Sequence, residues 1–431
     1  MSSIETNSIA DLFSAEGFGI DHLPYASFST TDRPQPRLGT RIGDYVIPIA
    51  AIVASATGPS PQVVSAAEAP NLDTLLAAGR PVWDELREIL TAELTSADTT
   101  PELSQHLIPV DEVELHLPFT IGDYVDFYGN EYHATNVGKI FRPEQAPLTP
   151  NWKHLPIGYH GRSGSIVPSG TAFPRPKGMR PEPDGIPSFG PSRKLDIEAE
   201  VGFVLGGHAP NGEVSLKDAH EHIFGLTMTN DWSARDIQAY EYVPLGPNLG
   251  KSFATTIAHW VTPVAALEAA RVTPPLRDTP LAAYLDDSDT QSWAFDFEIE
   301  IVLNGEVVSR PPFASTYWTA AQMLAHMTVN GATLHPGDFF AGGTISGPEK
   351  DQRGSLLELT WGGTEPLILS DGSEITFLRD EDEVILRATA RTANGDLIRF
   401  GDCSGKVLPA TESEKTSTSI YNTVGYLGPV L

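Results

Sequence analysis

The chain has 431 residues, of which 40% are hydrophobic and 19% are charged, and its formal net charge at pH 7 is -28. This length and composition are typical of a globular protein of two or three domains and exclude a largely disordered chain. The strong negative charge disfavours nucleic acids and anionic membranes as partners, because both bind basic surfaces.

Targeting and redox features favour a cytoplasmic protein. The amino-terminal sequence MSSIETNSIADLFS lacks the basic start and the apolar stretch of a secretory signal peptide. No apolar run approaches the ~18 residues that a membrane helix needs. Cys403 is the single cysteine, which excludes an internal disulfide and a cysteine-based metal site. We therefore expect the reducing environment of the cytoplasm.

Residues 1–116 are predicted to form a small separate domain, and residues 117–431 a second one. In the first, Arg41 to Val53 (RIGDYVIPIAAIV) is strand-like. Asn71 to Leu90 predicts two short helices divided by Gly79-Arg80-Pro81. This part carries no obvious catalytic cluster, so we expect it to serve in docking, dimerisation or as a lid.

The second domain is predicted to be rich in strands. Leu195 to Leu205 (LDIEAEVGFVL) and Trp293 to Leu303 (WAFDFEIEIVL) both alternate polar and apolar residues. One helix is predicted over Thr319 to Thr328, where apolar side chains recur at helical spacing. Six prolines between Pro174 and Pro191 exclude a central strand there, and we expect this irregular segment to wall a site.

Acidic residues supply the first candidate site. Glu198 and Glu200 are two positions apart in a predicted strand, so their side chains share one face, together with Asp196. By pattern alone, a solvent-facing edge of a half-exposed strand explains this row of acids better. Asp126 and Asp231, however, lie in similarly apolar and aromatic settings (DYVDFYGN and TMTNDW). Four carboxylates without cysteine favour a hard cation, Ca²⁺ or Mg²⁺.

The segment Asp231 to Thr255 (DWSARDIQAYEYVPLGPNLGKSFAT) concentrates further polar groups. Burying such groups unpaired costs about 1–7 kcal/mol each, so they are poor core material. They suit a pocket that binds a metal ion and a negatively charged substrate. The candidates are Asp231, Arg235, Gln238, Tyr242 and Lys251.

A general base is predicted in the segment DFYGNEYHATNVGKIFR, where His133 follows Asp126. Histidine suits this role because its ordinary pKa lies near neutral pH, although a single histidine is more often structural. Glu358, in the apolar setting SLLELTW, is a candidate partner that fixes its tautomer. Two glycine-containing loops add Tyr159 with His160, and Thr344. The spacings of a phosphate loop, a serine-nucleophile elbow and a zinc peptidase are absent.

Four long motifs resemble the fumarylacetoacetase family, within the wider fumarylacetoacetate hydrolase superfamily. They are DYVDFYGNEYHATNVGKIFR, PNWKHLPIGYHGRSGSIVPSGT, NDWSARDIQAYEYVPLGPNLGKSF and GGTISGPE. The resemblance runs from about Tyr124 to the end of the chain and includes the segment LPYASFS near Leu23. It implies a mainly β, α+β protein with a small amino-terminal SH3-like barrel, followed by a mixed β-roll catalytic domain that forms a homodimer.

The resemblance also implies an activity and a set of site residues. The activity is hydrolysis of the carbon–carbon bond of 4-fumarylacetoacetate, a diketo dicarboxylic acid, to fumarate and acetoacetate, the last step of tyrosine and phenylalanine catabolism. The implied ligands of a Ca²⁺ or Mg²⁺ ion are Asp126, Glu198, Glu200 and Asp231, with a further Mg²⁺ position at Asp231, Lys251 and Thr255. The implied catalytic residues are His133, Glu358, Arg235, Gln238 and Lys251. The implied substrate contacts are Tyr128, Arg142, Tyr159, Gln238, Tyr242 and Thr344.

One residue departs from the family pattern: Ala254, next to Thr255, stands where the family has glycine. Two other functions remain open from the sequence. One is an acylpyruvate hydrolase or 2-oxo acid decarboxylase of the same superfamily. The other is a non-catalytic module stabilised by Ca²⁺, which explains the acids but not the set of His133, Arg235, Gln238 and Lys251.

Overall fold

The structure is a computed structural model that describes residues 9–12, 15–209 and 212–412. Within these residues, the amino-terminal part combines a five-stranded antiparallel sheet with five α-helices. The strands are β1 (Tyr25–Thr30), β2 (Arg33–Ile42), β3 (Tyr45–Pro48), β4 (Ile108–Pro109) and β5 (Val113–Leu115), in the spatial order β4-β3-β2-β1-β5. The helices are α1 (Ile49–Ser55), α2 (Pro61–Ala67), α3 (Asp73–Ala78), α4 (Arg80–Thr95) and α5 (Thr100–Leu103).

Two predictions for this part have different outcomes. The two helices predicted from Asn71 to Leu90 are confirmed as α3 and α4, which are separated by Gly79 at a positive φ of 81°. The strand predicted from Arg41 to Val53 is wrong in its second half, where α1 begins at Ile49. The apolar side chains of Ile49, Ile52 and Val53 are all buried, and their spacing fits a helix as well as a short strand.

The amino-terminal part shares a hydrophobic core with the rest of the protein. Helix α4 buries a stripe that includes Trp83, whose ring meets Phe224 edge to face at a centroid distance of 5.2 Å. Tyr25 on β1 exchanges two backbone hydrogen bonds with Val261, at 3.0 and 2.9 Å. The two parts are therefore joined by both apolar packing and backbone pairing.

The remaining strands form a large mixed sheet, a second sheet and several hairpins. The strands are β6 (Tyr124–Phe127), β7 (Gly158–His160), β8 (Ile166–Pro168), β9 (Thr171–Pro174), β10 (Lys177–Arg180), β11 (Ser188–Pro191), β12 (Leu195–Asp196), β13 (Ala199–Leu205), β14 (Ile223–Asp231), β15 (Ser233–Ala234), β16 (Thr255–Ile257), β17 (Thr262–Pro263), β18 (Arg271–Val272), β19 (Ala294–Phe295), β20 (Glu298–Leu303), β21 (Glu306–Ser309), β22 (Phe339–Ala341), β23 (Leu367–Ile368), β24 (Glu374–Ile375), β25 (Glu383–Arg391), β26 (Leu397–Arg399) and β27 (Cys403–Leu408).

The main core lies between two sheets. The central sheet has the order β7-β6-β22-β13-β14-β16-β8, with β17 also paired to β14, and contains parallel and antiparallel neighbours. The second sheet has the order β21-β20-β25-β27-β9, with β26 also paired to β25. Buried side chains of both sheets join one hydrophobic cluster, which includes Met228 of β14 and Leu386 of β25. The predicted fold, a small amino-terminal SH3-like barrel followed by a mixed β-roll, is confirmed, and the amino-terminal sheet is a curled antiparallel half-barrel.

Five further α-helices lie among the described residues after β6. They are α6 (Glu131–Phe141), α7 (Ala219–His222), α8 (Arg235–Glu241), α9 (Ala320–Thr328) and α10 (Leu356–Leu359). The helix predicted over Thr319 to Thr328 is confirmed as α9, and Thr319 with Gln322 forms a capping box at its start. Within the described parts of the chain, none of the helices is long and apolar enough to cross a bilayer.

The strands predicted from alternation are confirmed with one interruption each. Leu195 to Leu205 is divided into β12 and β13, and Trp293 to Leu303 into β19 and β20. The proline-rich segment contributes no central strand, because β10 and β11 pair only with each other. Its Arg180 and Pro181 line a cavity of about 440 Å³ that also reaches Arg235.

His22 ties the amino-terminal part to β17 and makes stability sensitive to pH. Its Nδ1 lies 2.9 Å from the Gly17 carbonyl oxygen, and its Nε2 lies 2.9 Å from the Thr262 hydroxyl. Burial lowers the pKa of His22 from 6.5 to about 3, despite the hydrogen bond to Gly17. The unfolded chain therefore binds a proton that the folded protein excludes, so His22 removes stability as the pH falls from 6.5 towards 3.

We expect His22→Gln to flatten this pH dependence. The amide keeps a donor and an acceptor for the same two partners but does not titrate, so its melting temperature should fall less than that of the wild type between about pH 7 and pH 5. Thermal unfolding across this range measures the effect. The exposed His154 provides the matched control, since His154→Gln should keep the wild-type slope. Equal slopes for all three proteins would contradict the assignment.

Candidate active site

The four acids predicted as ligands converge at the central sheet. Asp126 lies on β6, Glu200 on β13 and Asp231 at the end of β14, while Glu198 directly precedes β13. One oxygen from each carboxylate lies within 4.8 Å of the others, and all four residues are buried. The alternative of a solvent-facing strand edge is therefore wrong, because Glu198 and Glu200 are only 3% and 0% exposed.

Lys251 supplies the cation nearest to this acidic cluster. Its ammonium group donates to Glu198 and, at 2.7 Å, to Asp231. Although burial lowers the pKa of Lys251, Asp231, Glu198 and Asp126 raise it above its ordinary value, so the ammonium stays charged. Burial raises the pKa of Glu198, but Lys251 and Arg235 outweigh burial and lower that pKa to about 2.

Glu200 tests whether the cluster fits a metal ion. Both of its carboxylate oxygens are buried and have no hydrogen-bond partner among the described residues, and the same holds for Asp126 Oδ1. Burial, followed by the charges of Asp126 and Glu198, raises the pKa of Glu200 well above its ordinary value. An unpaired buried carboxylate costs several kcal/mol, which a divalent cation among these oxygens offsets. The donor set, oxygen without sulfur or imidazole, fits a hard cation.

His133 and Glu358 form a hydrogen-bonded pair next to the cluster. His133 lies in the first turn of α6, where the Asn130 side chain caps the helix by accepting from the His133 backbone N–H at 3.0 Å. Its Nδ1 lies 2.7 Å from Glu358 Oε2, and its Nε2 faces Glu198 Oε1 at 3.8 Å. The imidazole therefore has one nitrogen fixed by a carboxylate and the other directed towards the acidic cluster.

Glu358 is held in place by several donors. Asn136 donates to Oε1 at 2.9 Å, Ser355 to Oε2 at 2.8 Å, and Ser346 to both oxygens at 2.9 and 3.0 Å. Burial raises the pKa of Glu358, but His133, Asn136 and Ser355 outweigh burial and bring this pKa below its ordinary value. The carboxylate is therefore ionised. Sequence reasoning did not assign these supporting residues, although Ser346 belongs to the AGGTISGP loop that it selected.

Arg235 begins α8 and connects two acids to the cavity. Its Nε donates to Asp196 at 2.8 Å, and its Nη1 lies 2.8 Å from Glu198 Oε1. Nη1 also donates to Gln238 Oε1 at 3.1 Å, one helical turn further along α8. Although burial lowers the pKa of Arg235, Glu198 and Asp196 raise it, so the guanidinium remains a fixed positive charge.

A cavity of about 440 Å³ joins these groups. This volume lies in the range of small-molecule sites in proteins. Its walls contain most of the predicted site residues, namely Asp126, Tyr128, His133, Arg142, Tyr159, Glu198, Glu200, Arg235, Gln238, Tyr242, Lys251 and Thr344. Glu358 does not line the cavity, since it lies behind His133.

The predicted substrate contacts differ in how firmly they are held. Tyr159 donates its hydroxyl to Asp231 Oδ2 at 2.9 Å, and Tyr128 packs edge to face on His133 at a centroid distance of 5.4 Å. The Thr344 hydroxyl is buried without a hydrogen-bond partner. By contrast, Tyr242 is 36% exposed at the cavity wall, and Arg142 directs one nitrogen to the Pro147 carbonyl at 3.2 Å.

The residues predicted for a further Mg²⁺ position also lie together. Thr255 donates to Asp231 Oδ1 at 3.0 Å, while Lys251 binds Oδ2 of the same carboxylate. Asp231, Lys251 and Thr255 line a second cavity of about 370 Å³ on the other side of Tyr159. Ala254 is buried with 1% of its surface exposed.

Comparison with known proteins decides the family. The family models described as Fumarylacetoacetase N-terminal and Fumarylacetoacetate (FAA) hydrolase C-terminal match residues 21–118 and 124–405. Fumarylacetoacetase from Bos taurus is 44% identical over 410 residues, which cover 91% of this chain and 96% of the relative. The chain belongs to the fumarylacetoacetase family.

A relative outside the animals agrees with this membership, and a solved structure shows a similar fold. Fumarylacetoacetase from Arabidopsis thaliana is 42% identical over 419 residues, covering 94% of this chain and 98% of the relative. A solved fumarylacetoacetate hydrolase from Exiguobacterium antarcticum superposes with a TM-score of 0.52 at 16% identity, over 90% of this chain and 99% of that chain. At this identity the superposition supports the fold alone.

Proposed function

We propose that this member of the fumarylacetoacetase family hydrolyses the carbon–carbon bond of 4-fumarylacetoacetate to give fumarate and acetoacetate. One observation carries the proposal: His133, whose Nδ1 is bound by Glu358, lines one cavity together with Arg142, Arg235 and three acids of the four-carboxylate cluster, namely Asp126, Glu198 and Glu200. A base, a cation site and cationic groups for an anionic substrate are the parts that this hydrolysis requires. The names and full-length similarity of the curated relatives support the same substrate.

The metal is proposed to be Ca²⁺ or Mg²⁺, held by Asp126, Glu198, Glu200 and Asp231. When bound, a divalent cation supplies Lewis-acid polarisation of the oxo groups of a 1,3-diketone. A further Mg²⁺ position is proposed at Asp231, Lys251 and Thr255. The unpaired oxygens of Glu200 support the first position, and the shared contacts of Asp231 support the second.

His133 is proposed as the general base. Glu358 binds Nδ1, which leaves Nε2 to remove a proton from a water molecule in the cavity. The resulting hydroxide attacks the carbonyl carbon, and the bond to the neighbouring carbon breaks with its electron pair moving into an enolate. The imidazolium then returns its proton to this carbon. Glu358 stabilises the imidazolium that forms in the first step, because its carboxylate is ionised and fixed by neighbouring donors.

The remaining polar residues are proposed to bind charge on the substrate. Arg235, Gln238 and Lys251 stabilise the oxyanion that develops on the attacked carbonyl, and one such donor contributes about 10²–10³ in rate. Arg142 binds a carboxylate end of the substrate, with Tyr128, Tyr159, Tyr242 and Thr344 completing the walls. Burial and the charges of Asp126 and Asp231 raise the pKa of Tyr159, so its phenol is a neutral donor.

Four broader features belong to this proposal. We assign residues 1–116 and 117–431 as the two domains, and we expect a cytoplasmic homodimer that acts in tyrosine and phenylalanine catabolism. The single cysteine, Cys403, is buried, which suits a reducing compartment. Sedimentation of the purified chain, with a mass of 46.5 kDa per subunit, tests the dimer.

A substrate comparison tests the proposed reaction. The purified protein with added Ca²⁺ or Mg²⁺ is given 4-fumarylacetoacetate, an acylpyruvate and a 2-oxo acid, and the products are identified by NMR. We expect the first compound to have the highest kcat/KM and to yield fumarate and acetoacetate. Preference for the acylpyruvate, or carbon dioxide release from the 2-oxo acid, would assign another superfamily reaction. Absence of turnover on all three would favour the non-catalytic module.

A further inference from the structure

The Asp196 carboxylate accepts four hydrogen bonds next to the site, although it does not line the substrate cavity. Its Oδ1 accepts from the backbone N–H groups of Ile197 at 2.8 Å and Leu356 at 2.7 Å. Its Oδ2 accepts from Leu357 N–H at 3.0 Å and from Arg235 Nε at 2.8 Å. The residue is 0% exposed, so all of these bonds are shielded from water.

These bonds connect two parts of the proposed machinery that are far apart in sequence. Leu356 and Leu357 form the first turn of α10, and Glu358 is the next residue in that helix. Arg235 is the first residue of α8 and holds Glu198 and Gln238 with its Nη1. One carboxylate thus fixes the start of the helix that carries Glu358 and the guanidinium beside the cluster.

The local chain path explains why Asp196 has this role and its neighbours do not. Asp196 ends β12, which pairs with β15, and Ser233 lies opposite it. The strand is interrupted before β13, where Glu200 pairs across to Thr229 on β14. Because of this interruption, Asp196 binds α8 and α10, whereas Glu198 and Glu200 join the metal-type cluster.

We propose that Asp196 is a positioning residue for the hydrolysis, acting through Arg235 and Glu358 rather than on the substrate. This inference rests on the proposed function. Asp196 keeps the guanidinium directed at the developing oxyanion and keeps Glu358 within hydrogen-bond distance of His133. Both contacts stabilise the transition state more than bound substrate, so their loss lowers kcat and leaves KM nearly unchanged.

Asp196→Asn is the selective variant. The amide oxygen can still accept from Ile197 and Leu356, but the amide nitrogen then faces two donors, Arg235 Nε and Leu357 N–H. We expect kcat to fall by about 10–100-fold, the usual effect of removing an outer partner of a site residue, with KM close to the wild-type value. Asp196→Ala, which removes all four bonds, should lower kcat further.

A matched variant separates positioning from general stability. Asp382 is likewise buried and accepts from Arg379 N–H at 2.7 Å and Asn304 at 2.9 Å, but none of its partners belongs to the site. Asp382→Asn should lower the melting temperature while keeping kcat. If Asp196→Asn behaves in the same way, losing stability with an unchanged kcat per folded molecule, the positioning role is wrong.

A crystal structure of Asp196→Asn supplies a readout that does not depend on the substrate. We expect the Arg235 guanidinium to move away from Glu198 and the Nδ1–Glu358 contact of 2.7 Å to lengthen. Unchanged positions of both groups would overturn the inference. If the wild type fails to hydrolyse 4-fumarylacetoacetate, the proposed function fails, while this structural comparison still decides whether Asp196 positions the two groups.

Discussion

Replacement of His133 by alanine is expected to lower kcat by about 10²–10⁴-fold, because a general base usually contributes a factor of this size. The imidazole is only 2% exposed and is fixed by Glu358, and its Nε2 lies 3.8 Å from Glu198 of the cluster. KM should change little, because the proposed carboxylate contact belongs to Arg142. Loss of the diketo acid's ultraviolet absorbance measures both constants.

Two further variants control this experiment. His133→Ala leaves Glu358 buried without its histidine partner, and that loss can lower stability by itself. His133→Asn retains an amide donor near the Nδ1 position but has no base, so it should fold and remain slow. The exposed His154→Ala should keep wild-type kcat. Near-normal turnover in folded His133→Asn would remove His133 from the base role.

Replacement of Glu200 by glutamine should have opposite effects on the metal-free and metal-bound protein. The pKa of Glu200 is raised well above its ordinary value in the folded protein. At neutral pH, folding therefore costs free energy, because Glu200 must either stay ionised among other acids or take up a proton. Glutamine removes that cost, so the metal-free variant should melt at a higher temperature than the metal-free wild type. The same change removes an anionic ligand and should weaken divalent-cation binding by about a hundredfold or more.

Calorimetric titration and thermal unfolding with and without Ca²⁺ or Mg²⁺ measure both effects. In the wild type, a free cation concentration of a hundred times Kd should raise the free energy of unfolding by about 2.7 kcal/mol. Glu200→Gln should lose this gain and most turnover. Glu300→Gln, on the partly exposed face of β20, is the matched control and should behave like the wild type. Unchanged metal affinity in Glu200→Gln would exclude Glu200 as a ligand.

The sequence predicted which residues lie together at the site better than it predicted where individual strands and helices begin and end. The long ordered motifs selected His133 and Arg235, and the apolar setting SLLELTW selected Glu358; the structure brings these residues to one cavity or directly behind it. Alternation also placed Glu198 and Glu200 together correctly, although only Glu200 lies in β13 and Glu198 directly precedes that strand. Charged and polar side chains cost free energy when they are buried without a partner, so residues of these types in apolar settings are expected to lie together.

Two features could not be derived from local pattern. The alternating pattern predicts that Asp196 lies in one row with Glu198 and Glu200. In the structure, the interruption between β12 and β13 and the position of α10 give Asp196 different partners. The segment after Arg41 reads as a strand, because short apolar runs fit helix and strand spacing equally. Its second half is α1, where buried packing of Ile49 and Ile52 decides the outcome.

In the proposed mechanism, Asp126, Glu198, Glu200 and Asp231 hold a hard divalent cation. This cation polarises a 1,3-diketo acid, and His133 is the general base. The most direct test removes metal from the protein with a chelator, adds Ca²⁺ or Mg²⁺ back, and follows the ultraviolet absorbance of 4-fumarylacetoacetate. We predict that hydrolysis stops in the stripped protein and returns with the added ion. Full hydrolysis by demonstrably metal-free protein would contradict the claim.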